Sequence, residues 1–188
     1  MSDDPALRAR RGNASSPPPK VGGATGPTPA PAPRQPVSWL VVVRYENWQA
    51  LRRQNFAVLG FPDRLPAALG RIAVGDTAIL YVASKCASLA GCLTITSAKF
   101  RSNTDIFDDF YPMRFRTAPE VALAQRDWVK IHGVIDSLVF CRGRPDWRQC
   151  FRTTLRELCA EDAATLRGAI VNPRATDAGP TSGAAAPT

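Results

Sequence analysis

Residues 38–44 read Ser-Trp-Leu-Val-Val-Val-Arg, and this run decides how the rest of the chain is read. It is β-branched and aromatic, and apolar from Trp39 to Val43, so it predicts a buried strand. A second such run, residues 77–82 (TAILYV), follows the turn Val74-Gly75-Asp76. A third spans residues 89–96, where Gly91 permits a close backbone approach or a bulge. Between the first two, residues 46–54 read as a helix with Trp48 and Leu51 three apart, and residues 65–72 as a short helix after Asp63. The apolar piece 56–62, punctuated by Gly60, predicts a loop or a brief extended segment.

Further along, residues 101–109 are polar and turn-rich, and Met113, Phe115 and Thr117 alternate with Arg114 and Arg116 as in a half-exposed strand. Residues 122–136 predict a short helix and a loop, 138–141 and 147–152 further short strands, and 161–170 a closing helix with its acidic residues in the first turn. Short strands, five or six of them, with helices at the start, middle and end predict a small, strongly bent α+β barrel. A parallel α/β sheet is disfavoured, because long helices do not alternate with the strands.

The ends of the chain differ in kind. Residues 1–36 are rich in Pro, Gly, Ala, Ser and Thr, and residues 172–188 repeat that composition. Neither has apolar mass to bury, so the first predicts a disordered, partly polyproline linker and the second a disordered tail. The folded domain is expected over residues 37–171, long enough for its own core.

Charge and cysteines narrow the function. The chain carries 24 Lys+Arg against 16 Asp+Glu, a net charge of +8. Only Lys20, Lys85, Lys99 and Lys130 are lysines. The planar arginine fork suits phosphates and base edges, although a GC-rich genome enriches arginine as well. There is no apolar run long enough for a transmembrane helix, and the first residues develop no secretory h-region, so neither a membrane nor export is expected. The cysteines Cys86, Cys92, Cys141, Cys150 and Cys159 are odd in number and lack a C-x-x-C pair, which points to reduced, mostly buried thiols in a cytoplasmic protein.

Catalytic constellations are missing from the pattern. His132 stands alone, with Asp127 and Asp136 near it in sequence but no nucleophile elbow. Asp105, Asp108 and Asp109 could hold a hard cation or cap a turn. Neither G-x-x-x-x-G-K-S/T nor G-x-G-x-x-G occurs. The sequence therefore reads as a binder, not an enzyme, with no cofactor and no metal. Residues 147–158, WRQCFRTTLREL, interleave Trp147, Phe151 and Leu155 with Arg148, Arg152 and Arg156. Aromatic faces beside guanidinium groups suit a nucleobase and its phosphate, and equally a last barrel strand with solvated arginines.

The order of motifs from Trp39 to about Ile170 resembles the EVE domain family, of the PUA-like superfamily and related to YTH domains. The resemblance rests on WLVVV, then Glu46-Asn47-Trp48, the Gly60-Phe61-Pro62 loop, Gly75-Asp76 with the strand ending Tyr81-Val82-Ala83-Ser84, Ile106-Phe107, Tyr111-Pro112-Met113-Arg114, and Trp147 with Arg152 and LREL. It implies a bent PUA-like β-barrel that reads a modified base of DNA or RNA in a pocket at one barrel end. Trp39 and Trp48 match the family's core tryptophans. Arg44 to Asn47 match the loop after the first strand, on the pocket side. Leu59 stands where the family usually has tryptophan, with Phe61 beside it. Ser84 and Lys85 match the polar rim, Phe107 the I-F motif, and Trp147 and Arg152 the tryptophan and arginine of the last motif. Thr153 and Thr154 replace two small positions there and would narrow or fill the pocket.

The implied nucleobase-binding set is Arg44, Asn47, Leu59, Phe61, Ser84, Lys85, Phe107, Trp147 and Arg152. Each has a structural alternative: Trp147 as core, Arg152 paired with Asp105 or Glu157, Ser84 and Lys85 as a solvated loop. Two other classes of function stay open. One is an enzyme or accessory subunit acting on RNA or a nucleotide with Asp105 or Asp109 as an acid; the other is an interaction module whose proline-rich arm docks a partner.

Overall fold

The structure is a computed structural model and describes residues 34–83 and 86–173. The proline-rich stretch before residue 34, the tail after residue 173, and Ser84 and Lys85 lie outside the described residues.

The elements are β1 (Ser38–Val43), α1 (Tyr45–Arg53), β2 (Val58–Phe61), α2 (Pro66–Leu69), β3 (Thr77–Val82), β4 (Ser88–Ile95), β5 (Phe100–Arg101), β6 (Met113–Ala122), β7 (Val129–Lys130), β8 (Leu155–Glu157) and α3 (Ala160–Val171). Hydrogen-bonded neighbours run β2-β6-β4-β3-β1-β8, with β5 on β6 and β7 on β4. Only β1 with β3 is parallel, Ser38 opposite Thr77 through Val43 opposite Val82; the other pairs are antiparallel. A parallel pair needs a crossover, and α1, β2 and α2 supply it. The curled mixed sheet is the small α+β barrel expected from the sequence.

The unbroken apolar runs of β1 and β3 are explained by what covers each face. Successive strand residues point to opposite sides. Trp39 and Val41 of β1, with Ala78 and Leu80 of β3, join Trp48, Leu51 and Phe115 in one buried cluster. Leu40, with Ile79 and Tyr81, joins a second cluster with Ile131, Leu138, Phe151, Leu166 and Ile170. A strand buried on both faces cannot alternate with polar residues.

Asp76 locks the turn from which β3 starts. It is 1% exposed, and its carboxylate accepts hydrogen bonds from Val37 N at 2.9 Å, Trp39 Nε1 at 2.9 Å and Ala73 N at 3.0 Å. Its own carbonyl accepts from Ile95 N, so β1, β3 and β4 converge on one residue. Gly91 is placed at the irregularities of register between β3, β4 and β6. A side chain there would run into the Val121 carbonyl.

Several local expectations are corrected. Residues 138–141 and 147–152 are not strands: 3-10 turns occupy Val139–Cys141 and Trp147–Phe151. Short apolar runs fit either geometry, and Asp146, whose side chain accepts from Arg148 N at 3.1 Å, caps the second as a turn. The slot beside β1 goes to β8 instead. The piece 56–62 contains a strand, β2, and residues 122–136 hold 3-10 turns and β7 where a helix and loop were expected. Among the described residues no helix is long and apolar enough to cross a membrane.

Burial also sets an alkaline limit. Burial pushes the thiol of Cys92 up to about 11 and the phenol of Tyr81 up to about 12, and raises Cys141, whose neighbour Cys150 adds to the shift. Folded, these groups hold their protons more tightly than in the unfolded chain. Stability is therefore complete below about pH 9 and falls as pH rises through the raised values. Urea unfolding at pH 8, 9.5 and 10.5 is expected to show midpoints that drop with each step. A flat series would show that these groups keep ordinary acidities.

Candidate nucleic-acid interface

Two clefts lie where the sequence places binding residues, and they open beside different clusters of the core. The larger, of about 380 Å³, is built on the second cluster. Tyr81, near the end of β3, forms part of its lining because its position in the strand alternation faces that way. The 3-10 turn Trp147–Phe151 brings two aromatic rings to the same space, with their centroids 6.1 Å apart. Phe151 packs on Tyr81 with ring centroids 4.3 Å apart and planes at 31°. His132 meets Trp147 edge-on at 4.7 Å, and the Arg148 guanidinium lies over the indole at 4.9 Å. Trp147 is only half-buried and Arg148 exposed, so the indole and its cation remain within reach of solvent.

The electrostatics of this cleft are positive. No carboxylate is among its described lining residues. The segment that walls it, residues 142–156, carries Arg142, Arg144, Arg148, Arg152 and Arg156 against Asp146 alone. Arg142 is spoken for by Glu161 at 3.4 Å, whereas Arg148 and Arg152 are exposed and make no ion pair among the described residues. Burial is the main cause that holds the Tyr81 phenol protonated, and the nearby charge of Arg148 offsets part of it.

The smaller cleft, about 250 Å³, lies in the loop from Asn103 to Tyr111. Asp105, Asp108 and Asp109 line it, and a phosphodiester would meet their charge. Several of its polar groups are engaged with one another, while the buried Asn47 Oδ1 has no hydrogen-bond partner among the described residues. Arg44 pairs with Asp109 at 3.2 Å, the Tyr111 hydroxyl donates to Asp109 at 3.1 Å, and the Asn47 amide donates to Tyr111 at 3.3 Å. Arg114, 3% exposed, donates to Tyr111 O, Ser102 Oγ and Thr104 O, and lies over the Phe107 ring at 5.8 Å. Burial lowers the pKa of the Arg114 guanidinium, and the charge of Asp105 works against that. Phe107 fills the space beside Gly60, where even a methyl group would strike the ring.

The expected set is thus divided, not gathered. Leu59 and Phe61 are each 1% exposed and belong to the barrel core, Phe61 packing edge-on against Phe115 at 6.0 Å. Arg44, Asn47 and Phe107 gather at the acidic loop. Trp147 lines the larger cleft, and Arg152 follows its aromatic turn. Ser84 and Lys85 lie outside the described residues; Ala83 and Ala87, which bracket them in sequence, both line the larger cleft. The alternative pairing of Arg152 with Glu157 is not made, because Arg71 takes Glu157 at 2.7 Å. Tyr81, His132, Arg148 and Phe151 complete the cleft and were absent from the expected set. The four-residue spacing of Trp147 and Phe151, and the place of Tyr81 in the β3 alternation, carried that signal.

No protein-family model matches the chain, and no curated protein matches its sequence. Solved structures match its shape. The Mmi1 YTH domain in complex with RNA superposes with a TM-score of 0.53 at 9% identity, over 78% of this chain and 85% of that one. A second structure of the Mmi1 YTH domain gives 0.51 at 10% identity, over 74% and 77%. The YTH domain of Zygosaccharomyces rouxii MRB1, solved with N6-methyladenosine RNA, gives 0.49 at 14%, over 77% and 92%. At such identities the likeness concerns the fold, and it gives this chain the PUA-like fold that YTH domains share.

Proposed function

We propose that this protein is a non-enzymatic, EVE-type nucleic-acid-binding domain that takes one modified nucleobase of DNA or RNA into the Trp147 cleft. The observation that carries this reading is the half-buried Trp147 indole, faced by Arg148 at 4.9 Å in a cleft of base-sized volume with aromatic walls and no described carboxylate. A base entering there stacks on an aromatic face, and the arginines of residues 142–156 hold the flanking phosphates. The similarity in fold to a YTH domain solved with RNA supports the same direction. The acidic loop cleft is the poorer host, because the charge of Asp105, Asp108 and Asp109 repels a phosphodiester.

The test is a titration of the full chain with labelled single- and double-stranded oligonucleotides carrying plain or modified bases, over a range of salt. Selective, salt-sensitive binding is expected. Trp147→Ala should weaken it by about 10- to 100-fold, since stacking contributes about 1–3 kcal/mol per base. Equally weak binding of every oligonucleotide at every salt concentration would refute the reading.

A further inference from the structure

Arg148 holds the place on Trp147 that a cationic ligand would take. An indole face attracts cations through its ring quadrupole, and aromatic clefts bind positively charged, methylated ligands in this way. Here the chain's own guanidinium lies over the indole, 4.9 Å from the ring centroid, and lines the cleft with it. That charge is exposed and makes no ion pair among the described residues. Asp146, two residues away, is committed to its own turn. Its Oδ1 accepts from Arg148 N at 3.1 Å and its Oδ2 from Gln149 Nε2 at 3.4 Å, and it is not among the described lining. Of the other ionisable groups in that lining, His132 is neutral or positive and burial keeps the Tyr81 phenol protonated. Nothing described there carries a full negative charge to offset Arg148.

We infer that Arg148 makes the Trp147 cleft sort bases by charge, admitting a base that is neutral or bears an acidic substituent and rejecting one with a fixed positive charge. This rests on the base-binding reading above and adds the class of base to it. A base stacked on Trp147, on either face, lies within about 10 Å of the guanidinium, which is the screening length at about 0.1 M salt. A base methylated at a ring nitrogen so that it becomes a cation meets like charge there, and the cation's usual seat on the indole is filled. A carboxylate on the base instead finds an exposed guanidinium beside it. Backbone carbonyls and the His132 ring can accept a base's N–H groups, but they do so for neutral and charged bases alike. Hydrogen bonding thus reads the edge of the base, and Arg148 reads its charge.

The experiment uses the full chain and single-stranded oligonucleotides identical but for one central base. Two matched pairs vary charge with little change of shape. One sets N7-methylguanine, a cation, against its neutral 7-deaza counterpart; the other sets 5-carboxycytosine, an anion, against its neutral amide. Wild type is expected to favour the neutral member of the first pair and the acid of the second, each by about 3- to 10-fold at low salt. Arg148→Gln should bring both ratios near one, and Arg148→Lys, which keeps the charge, should preserve them. Arg152→Gln removes an exposed arginine outside the described lining, so it should weaken every oligonucleotide and leave the ratios in place. Equal affinity within either pair overturns the inference, as does a preference for the cation. So do ratios that survive Arg148→Gln, vanish in Arg148→Lys, or fall as far in Arg152→Gln, because shape or the whole basic surface would then set them. Any of these results, with Trp147→Ala still weakening binding, leaves the base-binding reading standing. Wild-type affinity in Trp147→Ala removes both.

Discussion

Asp76→Ala is expected to lower the stability of the domain by about 3–5 kcal/mol, enough to leave much of it unfolded at 37 °C. The carboxylate is buried and accepts from Val37 N, Trp39 Nε1 and Ala73 N. Removing it strands these donors where water cannot replace it, and a buried unsatisfied donor costs about 1–3 kcal/mol. The loss spreads, because the same residue joins the start of β3 to β1 and, through its carbonyl, to the end of β4. Asp76→Asn is expected to fail similarly, since its amide nitrogen cannot accept from the indole or from Ala73. Urea unfolding of both variants measures this. An unfolding free energy for Asp76→Ala within about 0.5 kcal/mol of wild type would mean that the turn is held by something else.

Gly91→Ala should destabilise by about 2–5 kcal/mol through backbone strain and overpacking together. At φ +153 a side chain is strained, and the added methyl would strike the Val121 carbonyl, which belongs to the paired strand β6. Backbone in a central sheet cannot swing aside as a flexible side chain can. The β4–β6 pairing from Gly91 to Leu93 should suffer most, close to where Ser88 and Leu89 of β4 pair with β7. Ala87, at the edge of the Trp147 cleft, precedes that stretch, so oligonucleotide affinity should fall with stability. Gly60→Ala supplies the contrast. Its obstacle is the Phe107 ring, which can turn away, and its effect should concentrate on the acidic loop. Thermal melts of the two variants would show the difference, and equal melting points would contradict the account.

The barrel was legible where burial imposes a pattern. Residues 38–44 and 77–82 are apolar because both faces of β1 and β3 are covered, and their bounds follow from that composition. Trp39 and Trp48, expected in the core, are each 2% exposed or less. The segment 138–152 was harder to read, because its short apolar runs suit a strand or a 3-10 turn and the choice is made by Asp146 and by the packing of Phe151 on Tyr81. The site was legible in part. Residue types flagged Trp147, but motif order cannot say which face of the sheet a side chain reaches. Leu59 and Phe61 alternate with Gly60 and face the core, whereas Tyr81 faces the opposite cluster. A set gathered along the sequence was therefore split in space, with Arg44, Asn47 and Phe107 on an acidic loop and Trp147 beside arginines.

The central claim is that a base stacks on Trp147, and the indole N–H signals in an NMR titration with a binding oligonucleotide test it most directly. The chain has Trp39, Trp48, Trp128 and Trp147, and Trp147→Phe assigns the last. Trp48 and Trp128 pack together at 4.7 Å, and Tyr45 stacks on Trp48 at 6.0 Å, within the helix that begins beside Arg44. They therefore report on the other candidate region. The account predicts that the Trp147 signal moves while the other three stay in place. Movement of Trp48 or Trp128 with Trp147 unchanged would contradict it and put the base at the loop bearing Arg44, Asn47 and Phe107.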